Sequence, residues 1–217
     1  MKTKKIFDLD SYVKENKTRV ISCEKSNRAN YEDLYEVIVE STIFAPEGGG
    51  QLADKGFINE YEVVDVQEID GEIIHFVKQA FMPDDEVLEQ IDFELRFRRM
   101  QNHNAEHLLC GIIHKKYGYS NVGFHITETV SEDGKILLET TMDVDGPLSL
   151  EQINEIEMEA NRAIAENVPV YAMLPSIEEA KNIQYRSKLD IEEGLRLVVI
   201  EGYDICACCA PCLKQSR

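Results

Sequence analysis

Through residues 1–95 the apolar positions fall in short β-branched or alternating runs, at residues 19–26, 33–41, 62–69, 72–78 and 86–94. Alternation sends every second side chain to one face of an extended strand, so these runs predict strands. Gly, Asp and Asn lie between them, and Asp70-Gly71 predicts a tight hairpin. Many short strands without a long helix among them predict a small β-barrel. The period changes at Arg96. From residue 99 to 117, Ala105, Leu108, Leu109, Ile112 and Ile113 recur at helical spacing, and Gly118 is a natural stop. Residues 122–130 and 135–144 predict a hairpin across Glu132-Asp133-Gly134. A second helix is predicted over 149–167, with Ser149 and Gln152 as a capping box and Ile153, Ile156, Ala160, Ala163 and Ile164 as its buried stripe. A strand at 168–174, a short capped helix at 176–183 and a strand at 195–201 complete the pattern. The prediction is α+β: a β-barrel domain over 1–95 and a core over 96–217 whose sheet carries helices on one face.

At 217 residues with 43 % hydrophobic content, the chain has material for real cores. No charged-then-apolar leader or membrane-length apolar run is visible, so the expected location is the cytoplasm, with no membrane partner. A net charge of -18 argues against a general nucleic-acid binder. The acidity is uneven: residues 1–95 hold 10 Lys/Arg against 22 Asp/Glu, and residues 96–217 hold 13 against 19. Local basic spots occur at Arg96, Arg98 and Arg99, at Lys115 and Lys116 beside Tyr117 and Tyr119, and at Lys181, Arg186 and Lys188. Solvated surface charge is the simpler reading of each.

The candidate chemistry begins with His103 and His107, one helical turn apart and therefore on one helix face. Cys110 and His114 extend that face. Downstream, Cys206, Cys208, Cys209 and Cys212 crowd into seven residues, too close together for a spread-out disulfide framework. Zinc takes imidazole nitrogen and thiolate sulfur in tetrahedral array, so helix and C-terminal loop together predict a Zn2+ site. Reduced thiols in a terminal loop are the plainer alternative. Cys209-x-x-Cys212 has a familiar chelating spacing and Cys208-x-x-x-Cys212 also reaches, so spacing leaves both open. Gly48, Gly49, Gly50 and Gln51, after Pro46-Glu47, form a glycine-rich loop able to approach a ligand with bare N–H groups. It lacks the Lys-Ser/Thr of a phosphate loop, and a flexible turn is the commoner use of such a run.

Three ordered motifs carry a resemblance. Pro46-Glu47-Gly48-Gly49-Gly50-Gln51, then Arg99-Met100-Gln101-Asn102-His103-x-x-x-His107-Leu108-Leu109, then the late cysteine cluster resemble the free-standing alanyl-tRNA editing proteins of the AlaX type. That family is similar to the editing domain of alanyl-tRNA synthetase. Over residues 35–212 the resemblance implies a translation-factor-like N-terminal barrel carrying the glycine loop. It implies a C-terminal editing core of the threonyl/alanyl-tRNA synthetase second-additional-domain type. Carried over residue by residue, the implied zinc ligands are His103, His107, Cys208 and Cys212, the last standing where the family has histidine. Asn104 stands where a hydroxyl residue is common, and Gly123 near where synthetase sites tend to have glutamine. The implied activity is hydrolysis of tRNA(Ala) mischarged with serine or glycine. His103, His107, Glu106 and Asn104 are the candidate catalytic residues, and Gly48–Gln51 the candidate substrate-binding segment. Glu106 is a candidate proton acceptor, with a solvent-facing helix glutamate as its simpler reading. Two rivals remain. His103-x-x-Glu106-His107 also matches an inverted-zincin metallopeptidase motif, with Glu106 as base. A non-enzymatic zinc-stabilised RNA-binding module is the other.

Overall fold

The computed structural model describes residues 2–187 and 194–216. The chain divides into two compact units, Met1–Phe97 and Arg98–Arg217. Lys188, from the third basic spot, lies outside the described residues.

The first unit runs β1 (Lys4–Lys5), α1 (Ile6–Leu9), β2 (Glu15–Lys25), β3 (Tyr35–Val39), β4 (Ser41–Thr42), β5 (Gly56–Ile58), β6 (Tyr61–Ile69), β7 (Glu72–Val77) and β8 (Glu86–Ile91). β1 pairs with β4 in parallel. The other six close into a ring in the order β2-β3-β7-β6-β5-β8, with β8 antiparallel to β2. Alternation explains the interior: Val20, Val37, Val39, Ile58, Val63, Val66, Ile73, Val77 and Val87 are buried together with Ile43 and Phe44. β7 reads as a near-continuous apolar run because both its faces are covered. Ile73 and Val77 face the main core, while Ile74 and Phe76 pack with Leu34 in a second cluster capped by Tyr31. Asp70 and Gly71 both have positive φ, as the predicted hairpin turn requires.

Two buried polar networks interrupt this apolar interior. Thr42 Oγ1 lies 2.8 Å from His75 Nε2 and 2.7 Å from Glu89 Oε1, and His75 Nδ1 lies 3.1 Å from the Val37 carbonyl. A carbonyl only accepts, so Nδ1 carries the proton and Nε2 accepts from Thr42. The single Thr42 proton is then spent, and Glu89 closes the chain only if it carries its own proton. Burial pushes the Glu89 carboxyl up to about 7 and the His75 imidazole down to about 4, in keeping with a neutral pair. In the second network the Arg96 guanidinium pairs with Asp54 and also binds the Ile43 carbonyl. Asp54 in turn accepts from the Ala45 N–H at 2.6 Å, fixing the chain just before the glycine loop.

The second unit takes in most of α2 (Phe93–Tyr117), then β9 (Asn121–Val130), β10 (Ile136–Val144), α3 (Leu150–Glu166), β11 (Val170–Met173), α4 (Ile177–Ala180), β12 (Leu197–Ile200) and β13 (Asp204–Ala207). β9 and β10 form a hairpin, and β11-β12-β13 a separate three-stranded antiparallel sheet. Among the described residues the strands of this unit therefore make two sheets rather than one. Leu108, Ile112 and Ile113 of α2 pack with Ile156, Ala160 and Ala163 of α3 against Val170, Val198 and Ile200. Ser149 and Gln152 form the predicted capping box, and Ser176 with Glu179 forms another at α4.

Several sequence expectations shift. α2 starts at Phe93, where 86–94 had read as strand, because the Asp92 side chain accepts the Leu95 N–H and caps the helix. The change of unit falls between Phe97 and Arg98, inside that helix. Ile153 and Ile164 are 47 % and 38 % exposed, so the buried stripe of α3 is Ile156, Ala160 and Ala163. Arg96 and Arg99 are fully buried in ion pairs, not solvated. Among the described residues no helix is long and apolar enough to cross a membrane.

Candidate metal centre

α2 buries an unusual face. Arg99, His103, Glu106, His107 and Cys110 recur at helical spacing, and all five are buried. A polar face turned inward must find partners or bind something. The facing element is β13. A strand has period two, so Asp204 and Cys206 share a face that Cys208 continues. Gly111 lets this strand approach the helix: a Cβ there would lie 2.7 Å from both Asp204 Cβ and the Tyr203 carbonyl oxygen.

The result is a compact donor set. The ligand atoms of His103, His107 and Cys208 lie within 4.8 Å of one another, as do those of His107, Asp204 and Cys206. His103 Nε2 is 3.5 Å from Cys208 Sγ, and the two imidazoles stack with centroids 4.9 Å apart. Neither ring nitrogen of His107 has a hydrogen-bond partner, although both are buried. An orphaned buried imidazole is costly in a finished core but is what a metal ligand presents. Burial alone would raise the Cys208 thiol, yet the charges of His103 and His107 outweigh it and hold it well below the ordinary thiol value. Burial would likewise lower His107, but the Cys208 thiolate, Asp204 and Cys206 beside it carry its pKa well above the usual imidazole range. Such coupling is a thiolate–imidazolium ion pair, which a metal ion binding the deprotonated groups would replace.

The comparisons with known proteins cover nearly the whole chain. It is 33 % identical over 211 residues to the alanyl-tRNA editing protein Aarsd1-B of Xenopus laevis, taking in 92 % of this chain and 49 % of that one. It is 34 % identical over 214 residues to an alanine–tRNA ligase of Ignicoccus hospitalis, 95 % of this chain and 22 % of the ligase. The chain is homologous to the alanyl-tRNA editing proteins. A further relative is the alanyl-tRNA editing protein AlaX-L of Pyrococcus horikoshii, 29 % identical over 224 residues, 98 % of this chain and 52 % of that protein. The chain thus spans about half the length of these editing proteins. No protein-family model matches it.

Within this homologue of the editing proteins the predicted residues fare unequally. His103, His107 and Cys208 come together, whereas Cys209 is exposed. Cys212 is outside the compact sets; Arg196 Nη2 donates to its Sγ at 3.6 Å, and burial raises its thiol. Glu106 is buried rather than solvent-facing, and one carboxylate oxygen accepts from Asn121 and from Cys110 Sγ at 3.2 Å. Asn104 is buried with its Oδ1 unpartnered. In the glycine loop, Gly48 and Gln51 exchange N–H···O bonds of 3.0 Å in both directions. Gly49 and Gly50, at φ 60° and 81°, form the two-residue turn between them. Only the N–H groups of Gly49 and Gly50 therefore remain outside that ring. Sequence reading passed over Asp204 and Gly111 and read Arg186 as solvated surface charge. Asp204 and Arg186 form a bidentate pair at 2.8 and 2.7 Å. The one visible signal was the i, i+2, i+4 spacing of Asp204, Cys206 and Cys208.

Proposed function

We propose that this chain is a zinc-dependent trans-editing hydrolase that deacylates tRNA(Ala) mischarged with serine. The observation carrying this reading is the donor set of buried His103 and His107 with half-buried Cys208, in a chain homologous to alanyl-tRNA editing proteins. Zinc suits the set. Bonds of ~2.05 Å to nitrogen and ~2.3 Å to sulfur at a tetrahedral angle put N and S about 3.6 Å apart, against 3.5 Å between His103 Nε2 and Cys208 Sγ. His103, His107 and Cys208 would hold the ion, with Cys212 as fourth ligand. With four protein ligands, zinc when bound would supply a structural hold on the site or, by taking an added ligand, a hold on the substrate's amine.

The barrel would be the translation-factor-like domain with its glycine loop at Gly48–Gln51, and residues 96–217 the synthetase-type editing core. A synthetic site sized for alanine rejects serine weakly, since serine only adds a hydroxyl, so a second site is needed. The chain's own discrimination would come from Asn104, whose buried Oδ1 lacks a partner and would accept the serine hydroxyl proton. Leaving that group unmatched with alanine costs ~1–3 kcal/mol, a factor of roughly 5–150. The metallopeptidase reading is disfavoured because Glu106 is held by Asn121 and Cys110 instead of standing free as a base.

The test measures release of serine, glycine and alanine from tRNA(Ala), with a peptide substrate in parallel. Serine release that falls selectively in Asn104→Ala and vanishes in His107→Ala supports the proposal. Peptide cleavage dependent on Glu106, without serine release, overturns it in favour of the peptidase. Binding of tRNA without turnover overturns it in favour of an RNA-binding module.

A further inference from the structure

The zinc reading uses one face of the His107 ring and leaves Nδ1 unexplained. Two carboxylate oxygens lie 3.6 Å from that nitrogen, Glu106 Oε2 and Asp204 Oδ2. We propose that Asp204, clamped by Arg186, is the positioning residue that takes the His107 Nδ1–H and so presents Nε2 to the metal. This inference rests on the zinc-site reading above and adds the group that orients a ligand.

Asp204 is favoured over Glu106 because of how each is held. Arg186 donates from Nε at 2.8 Å and from Nη2 at 2.7 Å, one bond to each Asp204 oxygen. A planar fork of this kind fixes the carboxylate in position and rotation. Arg186 is itself tied into the strand: its N–H donates to the Ile205 carbonyl and its carbonyl accepts from Ala207, both at 2.8 Å. Asp204 is buried and starts the strand that leads to Cys208, so carboxylate and thiolate ligand move as one piece. Gly111, one turn beyond His107, removes the Cβ that would hold this strand away. Glu106, in contrast, is pulled toward Asn121 and Cys110 through its other oxygen.

Arg186 balances the charge of Asp204, which makes orientation the main effect. An imidazole with Nδ1–H committed to a carboxylate has its Nε2 lone pair fixed in tautomer and direction. The gap of 3.6 Å is slightly longer than a hydrogen bond, and a small ring rotation would close it.

The test is Zn2+ affinity, measured by competition with a chromophoric chelator on the full chain, with circular dichroism confirming the fold. Asp204→Ala is expected to weaken Zn2+ binding about 10–100-fold. Glu106→Gln is expected to leave it within about threefold of the parent. Asp204→Asn keeps an acceptor oxygen but loses one arm of the clamp, so it should fall between the parent and Asp204→Ala. A second readout is the His107 ring-nitrogen NMR signature in the zinc-loaded protein, which should report a protonated Nδ1 in the parent. Parental affinity in Asp204→Ala, or loss concentrated in Glu106→Gln, overturns the assignment while leaving the zinc site standing. Absence of Zn2+ binding by the parent overturns both.

Discussion

Gly111→Ala sets two known effects against each other. In an exposed helix the substitution stabilises by about 1 kcal/mol, because alanine loses less backbone freedom. Here the new Cβ would meet Asp204 Cβ and the Tyr203 carbonyl oxygen, each at 2.7 Å. That is roughly 0.8 Å or more inside the ~3.5–4.0 Å of ordinary carbon contacts. The obstacle is partly backbone, which cannot swing aside like the end of a long side chain. Overpacking of this kind costs about 1–3 kcal/mol, so the expected net effect is a loss of up to about 2 kcal/mol. In a chain of this size each kcal/mol lowers Tm by about 2–4 °C. The same displacement moves Asp204 and Cys208 away from His107 and His103, so zinc affinity should fall with stability. Thermal unfolding and chelator competition on the same preparation measure both. An unchanged or raised Tm with parental zinc binding would refute the claim that Gly111 sets the helix–strand approach.

Other expectations follow from the same contacts. Cys208→Ser should lower the zinc content of protein purified without added metal more than Cys209→Ser, since Cys208 joins the donor set and Cys209 is exposed; the reverse order by elemental analysis would displace the site within the cluster. Gly49 needs φ 60°, so Gly49→Val should cost about 1–2 kcal/mol from strain alone, whereas Gly49→Asn should be nearly neutral. Loss of editing in Gly49→Asn with an unchanged Tm would then assign the loop a role beyond its turn, and normal turnover would reduce it to a turn. The barrel pair makes opposite demands on pH. Glu89 rises from 4.5 to about 7 on folding, so it favours the fold below 4.5 and that contribution is lost as pH rises toward 7. His75 falls from 6.5 to about 4, so its effect on stability rises with pH between 4 and 6.5. Urea unfolding across pH 4–7 should therefore show, relative to the parent, a more positive slope in Glu89→Gln and a more negative one in His75→Gln. Equal slopes would refute the neutral-pair assignment.

What could be read from sequence divides along a physical line. The hairpin at Asp70-Gly71, the capping box at Ser149 and the His103–His107 face are local, each written within a few residues. The start of α2 was missed because its N-terminal turns bury Arg96 and Arg99, and hydrophobic periodicity treats a buried ion pair as surface. β5 is three residues long, too short to show alternation. Ile153 and Ile164 fit the helical period yet remain well exposed, because period alone does not say how wide the covered stripe is. At the site, the cysteine cluster was legible from composition and spacing, but the choice of Cys208 over Cys209 rested on the family resemblance. Asp204, Arg186 and Gly111 were not legible, since their roles come from a strand crossing a helix 93 positions away in sequence, counted from Gly111 to Asp204.

The most direct test of zinc-dependent editing is serine release from Ser-tRNA(Ala) by the same protein as purified, after chelation, and after return of one equivalent of zinc. The expected result is release that falls at least about tenfold on chelation and recovers with zinc, while Ala-tRNA(Ala) stays intact. Undiminished serine release by metal-free protein, or none by protein that carries its zinc, would contradict it.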